Sequence, residues 1–179
     1  MLDLNALEKD KKSGLPPVHT WHPEFCGDMD LVVKANGDWI HDGDKIKRPK
    51  MVTLFSHILW YENGEYFLVT PVEKVRIQVE DAPFLVTKWR YIDTDKGQAI
   101  EFTTLTDDVV VLGEDCELWL VGEEHAERPY ISMRYGMKAM LHRNVFYQLV
   151  EELVAVSTPQ GNGMGLMSAG QAYLLIPDE

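Results

Sequence analysis

The chain has 179 residues, with 17 Lys and Arg against 29 Asp and Glu, so its formal net charge is −12. This charge disfavours DNA, RNA and anionic membranes as partners, because each of them is itself a polyanion. Only two cysteines are present, too few for a disulfide scaffold, and no apolar run approaches the roughly 20 residues needed to cross a bilayer.

The first predicted element is a short amphipathic helix over residues 2–12, which Gly14 and the prolines after it end. The N-terminus lacks the basic flank and apolar run of a secretory signal peptide. We therefore expect a cytoplasmic protein that does not associate with membranes.

A hairpin and a helix come next. Asn36-Gly37 lies between two apolar runs and predicts a tight hairpin turn. Pro49 fits the first position of a helix, whose wide apolar face is predicted to continue as far as residues 62–64. A corresponding helix is predicted at about residues 144–155.

Segments rich in Val, Ile, Thr and aromatic residues predict six strands between the two helices. They cover residues 65–69, 74–79, 84–92, 99–104, 109–112 and 117–121. Short strands, tight turns and few helices indicate mostly antiparallel sheet and an α+β fold. Residues 158–165 are glycine-rich, and we expect them to form a mobile segment before the last strand.

One helix–strand segment occurs twice, with its copies about 95 positions apart. The matching positions are Arg48 and Arg143, Met51 and Phe146, Leu54 and Leu149, and Ile58 and Leu153. The strand at 64–71 recurs at 170–177, after an insertion of about 11 residues. The length also suits two small domains. We therefore predict two domains built on a repeated helix–strand motif, at residues 1–82 and 83–179.

Positive charge concentrates where both helices begin. The cations are Lys45, Lys47, Arg48 and Lys50 at the first helix, and Arg128, Arg134, Lys138 and Arg143 before the second. A helix N-terminus already carries unpaired N–H groups and partial positive charge, so cations are unfavourable there unless an anion joins them. The pattern indicates a phosphate or carboxylate site. The alternative is that these cations form surface ion pairs with the acidic stretch 106–127, which would contribute little to stability.

Two adjacent acids, Glu80 and Asp81, end a predicted strand, where neighbouring side chains point to opposite faces. Asp81 therefore either faces a cleft, where it would bind a ribose hydroxyl, a metal or an amine, or forms a turn before Ala-Pro.

Zinc-binding residue types occur at His19, His22 and Cys26, but a fourth ligand is missing and the spacing fits no paired pattern, so no metal site is predicted. The glycines at 161–165 lack the preceding strand and following helix of a dinucleotide fingerprint. The common catalytic signatures are absent too, so we expect no cofactor and assign no catalytic residue.

The stretch VTPVEKVRIQVEDAPF at residues 69–84 resembles the signature of a bacterial family known as domain of unknown function 1285. Segments at 23–27, 48–55, 129–134 and 143–147 resemble motifs of the family in the same order, so the similarity covers about residues 16–155. The resemblance implies two α+β domains with repeated motifs. It also implies an interdomain cleft suited to a nucleotide-like ligand, and a role in signalling. It implies no catalytic residue.

We therefore expect a binding protein rather than an enzyme, whose two halves enclose a small anionic ligand such as a nucleotide. Arg48 and Arg143 would bind the anion, with Arg134 and Lys74 assisting. Asp81 would be a polar partner for the ligand. Binding would change the angle between the halves and so report a signal.

Two alternatives stay open. A metal-assisted hydrolase of phosphorylated or nucleotide substrates would use Glu80, Asp81 or His41 as a base or metal ligand. A protein-interaction adaptor would instead use exposed apolar residues such as Trp39 or Trp119. The sequence does not identify a protein partner.

Overall fold

The computed structural model describes residues 14–123 and 126–178, so the helix predicted at 2–12 lies outside the described residues. The chain divides into two compact units, Met1–Pro83 and Phe84–Glu179. Both units are rich in strand, their sheets are mostly antiparallel, and the described residues contain two α-helices. The prediction of two sheet-rich α+β domains is confirmed at this level.

The described part of the N-terminal unit contains one six-stranded sheet and one α-helix. Its elements are β1 (Phe25–Val33), β2 (Trp39–His41), β3 (Asp44–Lys45), α1 (Pro49–His57), β4 (Leu59–Glu62), β5 (Glu65–Val69) and β6 (Lys74–Val79), preceded by a 3₁₀ turn at Val18–Thr20. The strand order is β3-β2-β1-β6-β5-β4. Only the central pair, β1 and β6, is parallel within the described sheet.

The C-terminal unit contains a six-stranded sheet, a helix and a three-stranded sheet. Its elements are β7 (Phe84–Thr94), β8 (Gly97–Thr104), β9 (Val109–Val111), β10 (Leu118–Val121), β11 (Arg128–Ser132), β12 (Lys138–Leu141), α2 (Arg143–Glu151), β13 (Val154–Thr158), β14 (Gly161–Ser168) and β15 (Gln171–Pro177). The larger sheet has the order β10-β11-β12-β7-β8-β9, with β12 and β7 parallel. The smaller sheet, β13-β14-β15, is antiparallel.

The two six-stranded sheets share one topology. In each, the first and last strands of the sheet pair in parallel at the centre, and antiparallel neighbours extend outward on both sides. The helices, however, occupy different places. α1 lies between the third and fourth strands of its sheet, whereas α2 follows the sixth strand. The two units therefore resemble each other in the order of their strands. The repeated helix–strand segments, however, do not occupy equivalent positions in that order.

Both helices are shorter than predicted. The first was expected to continue to residues 62–64, but α1 ends at His57 and β4 begins at Leu59. β4 pairs with β5, and the rings of Tyr61 and Tyr66 lie 4.8 Å apart across the two strands. Likewise, α2 ends at Glu151, and residues predicted as its last turn belong to β13. The sequence did not reveal where either helix ends, because the apolar residues there fit the pattern of a helix and that of a strand equally well.

The glycine-rich segment 158–165, predicted as a mobile connection before the last strand, comprises the end of β13, a tight turn and most of β14. Gly163 and Gly165 lie so close to β15 that a Cβ atom on either would be 2.1 Å from a carbonyl oxygen of that strand. The buried Ser168 hydroxyl then accepts a hydrogen bond from the Ile100 N–H (2.8 Å) and donates one to the Leu112 oxygen (2.6 Å). The glycines therefore permit close strand packing, and Ser168 fastens the hairpin to the larger sheet.

Each helix packs on its own sheet through aromatic residues. In the N-terminal unit, Trp39 of β2 is only 2% exposed and stacks on Phe55 of α1, with ring centroids 6.3 Å apart. Trp39 therefore belongs to the core, and the expectation that it is an exposed adaptor residue is wrong. In the C-terminal unit, Trp89 of β7 donates from Nε1 to Gln148 of α2 at 2.9 Å.

Candidate functional site

Most cations on the sheets have a carboxylate partner. Seven Lys and Arg side chains among the described residues form such ion pairs. The pairs are Lys34–Glu80, Lys45–Asp38, Lys74–Glu62, Arg76–Asp28, Arg90–Glu101, Lys96–Glu114 and Arg134–Asp108. In a protein of net charge −12, this pairing is the expected state of a cation.

The start of α1 is different. Arg48 is its N-cap residue, with extended backbone angles (φ −97°, ψ 104°), and no side chain caps the helix. Pro49 fills the first helical position, where a missing N–H is tolerated. The first turn contains no acidic residue, and Lys47, Arg48 and Lys50 are all exposed. We call these three residues the α1 cations.

The start of α2 carries a second, smaller group. His142 caps this helix by accepting a hydrogen bond at Nδ1 from the Asn144 N–H (3.2 Å), and the exposed Arg143 is the first helical residue. The His142 N–H donates to the Val86 oxygen of β7 at 2.9 Å. Lys88, also exposed, lies two residues further along β7.

Within residues 14–123 and 126–178, the side chains of five cations form no ion pair, hydrogen bond or ring contact with the chain. They are Lys47, Arg48, Lys50, Lys88 and Arg143. Three of them are the α1 cations, and the other two belong to the start of α2. Surface pairing with acidic residues, the alternative explanation of the sequence pattern, accounts for Arg134 but not for Arg48 or Arg143.

The two assisting cations of the sequence prediction have partners already. Lys74 opens β6, forms an ion pair with Glu62, and its Nζ lies 4.3 Å from the centre of the Phe67 ring. Arg134 forms an ion pair with the buried Asp108, and its guanidinium lies 4.8 Å from the centre of the Phe84 ring. Both side chains are largely buried by these contacts, so an anion would have to displace a carboxylate to reach them.

The predicted residues are also separated within each unit. Lys74 and Asp81 lie at opposite ends of β6, and Arg134 and Arg143 lie at opposite ends of β12. Asp81 is half-buried, and burial, Tyr61 and Asp81 together raise the pKa of Tyr66 to about 12. The assignment of these side chains to a ligand stays a prediction.

The residues proposed for hydrolysis are held apart or occupied. Glu80 accepts hydrogen bonds from Lys34 Nζ (2.8 Å) and the Ala35 N–H (2.9 Å), and the Lys34 bond is the main cause of its lowered pKa. His41 Nδ1 lies 3.6 Å from Asp42. In the described part of the chain, no three His, Cys, Asp or Glu residues gather as they would to hold a metal ion.

Sequence reasoning missed Lys88 as a member of the α2 group. Lys88 precedes α2 by more than fifty positions, and its strand lies beside the start of α2 only because β7 pairs in parallel with β12. No spacing along the chain signals such a pairing.

None of the helices in the described residues is long and apolar enough to cross a membrane.

Comparison with known proteins identifies both units. The family model "Domain of unknown function (DUF1285), N-terminal domain" matches residues 16–82. The model "Protein of unknown function (DUF1285), C-terminal domain" matches residues 83–175. No curated protein matches the chain.

Two solved structures are similar to the chain. A DUF1285 family protein from Silicibacter pomeroyi DSS-3 shares 36% identity, with a TM-score of 0.83 over 97% of this chain and 94% of that one. A DUF1285 family protein from Shewanella baltica OS155 shares 29% identity, with a TM-score of 0.56 over 69% of this chain and 92% of that one. The matches to both units and to a solved relative along nearly the whole chain show that this protein belongs to the DUF1285 family.

Proposed function

We propose that the protein binds a small anionic ligand, such as a nucleotide, at the α1 cations, and that binding serves a signalling role. The observation that supports this proposal is the position of the unpaired cations. Four of the five in the described residues, Lys47, Arg48, Lys50 and Arg143, lie at the start of a helix, where the helix dipole makes positive charge unfavourable. An anion would relieve the repulsion among these charges.

The ligand would be held mainly by side chains. The N–H groups of Met51 and Val52 already donate to the Arg48 oxygen, at 3.0 and 3.3 Å. Pro49 has no N–H to offer. The Arg48 guanidinium is suited to a phosphate or carboxylate because its planar fork binds two oxygens at once. Lys47 and Lys50 would add two flexible positive charges.

The acidity of the rest of the protein favours a small anion over a polymer. A net charge of −12 repels a nucleic acid along its whole length, whereas a mononucleotide would meet only the local field of the α1 cations. Binding should also weaken as the salt concentration rises, because the α1 cations are exposed and salt screens exposed charges.

The start of α2 supports a second, weaker site of the same kind. Arg143 is the first residue of its helix, one position later than the N-cap Arg48 of α1, and Lys88 of β7 is a second unpaired cation. We infer that the repeated helix–strand segment marks one anion site in each unit. The second site would be weaker because it has two unpaired cations, whereas the start of α1 has three.

Isothermal titration calorimetry tests the proposal directly. We expect heat from at least one member of a panel of mononucleotides, cyclic nucleotides and inorganic phosphate, and at least tenfold weaker binding in Arg48→Ala. Lys45→Ala is the matched control. It removes a neighbouring cation that is already paired with Asp38 at 2.6 Å, and it should leave affinity unchanged.

Two results would overturn the α1 site. One is the absence of heat with every member of the panel at low salt. The other is an equal loss of affinity in Lys45→Ala and Arg48→Ala, which would show that only overall charge matters. Arg143→Ala should abolish any weaker second binding event and leave the first unchanged.

A further inference from the structure

The N-terminal unit also carries a groove of about 590 Å³, away from the start of α1. Its polar lining comes from Asp28 of β1, Glu65 at the start of β5, and Arg76 and Gln78 of β6. We call it the Arg76 groove. Its volume falls in the range of small-molecule sites in proteins, about 300 to 1,000 Å³.

Arg76 is clamped between the two carboxylates. Its Nε and Nη2 donate to the two oxygens of Asp28, at 2.6 and 3.1 Å, and its Nη1 donates to Glu65 at 2.8 Å. The sheet itself brings the groups together, because Asp28 and Arg76 are paired residues of the parallel strands β1 and β6. The Arg76 hydrogen bond lowers the pKa of Asp28, so this carboxylate is ionised at neutral pH.

This arrangement disfavours an anion in the groove. The three charged groups sum to −1, and the guanidinium edge that would bind an anionic ligand is occupied by Asp28. A ligand carboxylate or phosphate would have to displace Asp28 and would then face Glu65. The Arg76 groove therefore carries a net negative charge, whereas the α1 cations carry a positive one.

The same arrangement suits a cation. Each carboxylate can accept about four hydrogen bonds, and both side chains are well exposed, at 66% for Asp28 and 48% for Glu65. Their shared guanidinium fixes their relative position before a ligand arrives, which reduces the entropy lost on binding. The exposed Gln78 amide forms no hydrogen bond within the described residues and offers a further acceptor oxygen.

An aromatic ring stands beside these groups. Phe25 is 54% exposed, and its ring centre lies 5.7 Å from the Arg76 guanidinium carbon. Phe67 meets Phe25 edge to face at 6.2 Å and holds the ring in place. The Arg76 guanidinium already lies over this ring, so Phe25, which does not line the groove itself, helps to hold Arg76 between its two carboxylates.

From this geometry we propose that the Arg76 groove binds a small organic cation with primary ammonium groups, of the diamine or polyamine class. One ammonium group would bridge Asp28 and Glu65, and the alkyl chain would lie along the groove toward Gln78. This site is independent of the proposed anion site, because none of its residues is an α1 cation.

Spermidine titrated by NMR into the full chain at 150 mM salt is the test. We expect one saturable site, with shifts in the Gln78 side-chain amide and the Arg76 Nε–H resonances. Glu65→Gln should weaken binding at least fivefold, and Asp28→Asn combined with Glu65→Gln should weaken it at least twentyfold. Arg48→Ala should leave spermidine binding unchanged.

Glu80→Gln is the matched control, since Glu80 is an exposed, paired acid of the same unit outside the groove. Equal weakening in Glu80→Gln would mean that spermidine responds only to overall negative charge, and would overturn the proposal. Loss of spermidine when Mg²⁺ is added at the same concentration would also overturn it, because the groove would then not select an organic cation. A lysine-containing pentapeptide that binds more tightly than spermidine would overturn the assignment to a small molecule.

Discussion

The two units place an arginine between oxygen acceptors in opposite surroundings. In the N-terminal unit, Arg76 is 40% exposed and its carboxylate partners are largely open to water. In the C-terminal unit, Arg134 is 15% exposed, and the Asp108 side chain that binds it is 5% exposed. Exposed ion pairs contribute little to stability because water already solvates both charges. A buried pair behaves differently, since removal of one partner leaves a desolvated charge.

The buried pair also belongs to a larger network. Asp108 Oδ2 accepts hydrogen bonds from the hydroxyls of Thr104 (3.1 Å) and Thr106 (2.8 Å), while Oδ1 binds Arg134. Burial therefore gives Arg134 a structural role, whereas exposure leaves the Arg76 cluster available to a ligand. The comparison shows that ion pairs of the same residue types are exposed in one unit and buried in the other, and predicts that they differ in their effect on stability.

The largest effect is expected from Asp108→Asn. The substitution keeps the shape of the side chain but removes the negative charge beside Arg134, so the free energy of unfolding should fall by about 3 to 5 kcal/mol. Urea denaturation measures this loss. The double substitution Asp108→Asn with Arg134→Met should recover part of this loss, because it also removes the buried positive charge that Asp108 balances. A loss no larger than that of Glu114→Gln, which removes one partner of an exposed ion pair in the same unit, would contradict the contrast between buried and exposed pairs.

The next effect concerns the three-stranded sheet, which the C-terminal unit has in addition to its six-stranded sheet. In Gly165→Ala, the new Cβ atom would lie 2.1 Å from the Tyr173 carbonyl oxygen, so β14 and β15 must separate. We expect a loss of about 1 to 3 kcal/mol in unfolding free energy. Gly113→Ala is the control, because its Cβ atom would meet its nearest neighbour at 3.6 Å. Similar losses in both variants would argue against close packing as the cause.

A third test uses pH on the same unit. Burial raises the pKa of Cys116 to about 11, above its ordinary value near 9. Between pH 9 and 11 the unfolded thiol loses its proton while the folded thiol keeps it, so stability falls as pH rises, by about 2 kcal/mol. Cys116→Ala should flatten this part of the curve measured by urea denaturation. An unchanged slope in the variant would show that another group is responsible.

The smallest effect is expected from Asp28→Asn in the Arg76 groove. Both partners of this ion pair are exposed, so the urea midpoint should not move by a resolvable amount near pH 7. Spermidine affinity should nevertheless fall in the same variant. A large shift of the urea midpoint would show that the Arg76 cluster is structural, as the Arg134 cluster is, and would remove the distinction drawn here.

Local patterns predicted the strands well and the helix ends poorly. β5 and β6 occupy the predicted residues 65–69 and 74–79, because alternating apolar and polar residues specify one buried face. The start of α1 was also predicted, since Pro49 fits the first helical position. The end of α1 was not, because Leu59 is buried equally well in a helix or in a strand paired with β5.

The candidate sites divide in the same way. The cations at the helix starts were visible in the sequence, because helix polarity and charge are both local properties. The Arg76 groove was not visible, because Arg76 and Asp28 lie 48 positions apart and meet only through the parallel pairing of β1 and β6.

The sequence by itself determined several of the strands, from β5 to β10, where the helices begin, and that positive charge gathers at those points. The tertiary structure decided the common order of the two sheets, and which cations are paired with carboxylates and which are not. The physical reason is the separation along the chain over which each kind of interaction acts. Backbone preference and side-chain alternation act between near neighbours, whereas ion pairs such as Arg134 with Asp108, 26 positions apart, depend on how distant strands and loops are brought together.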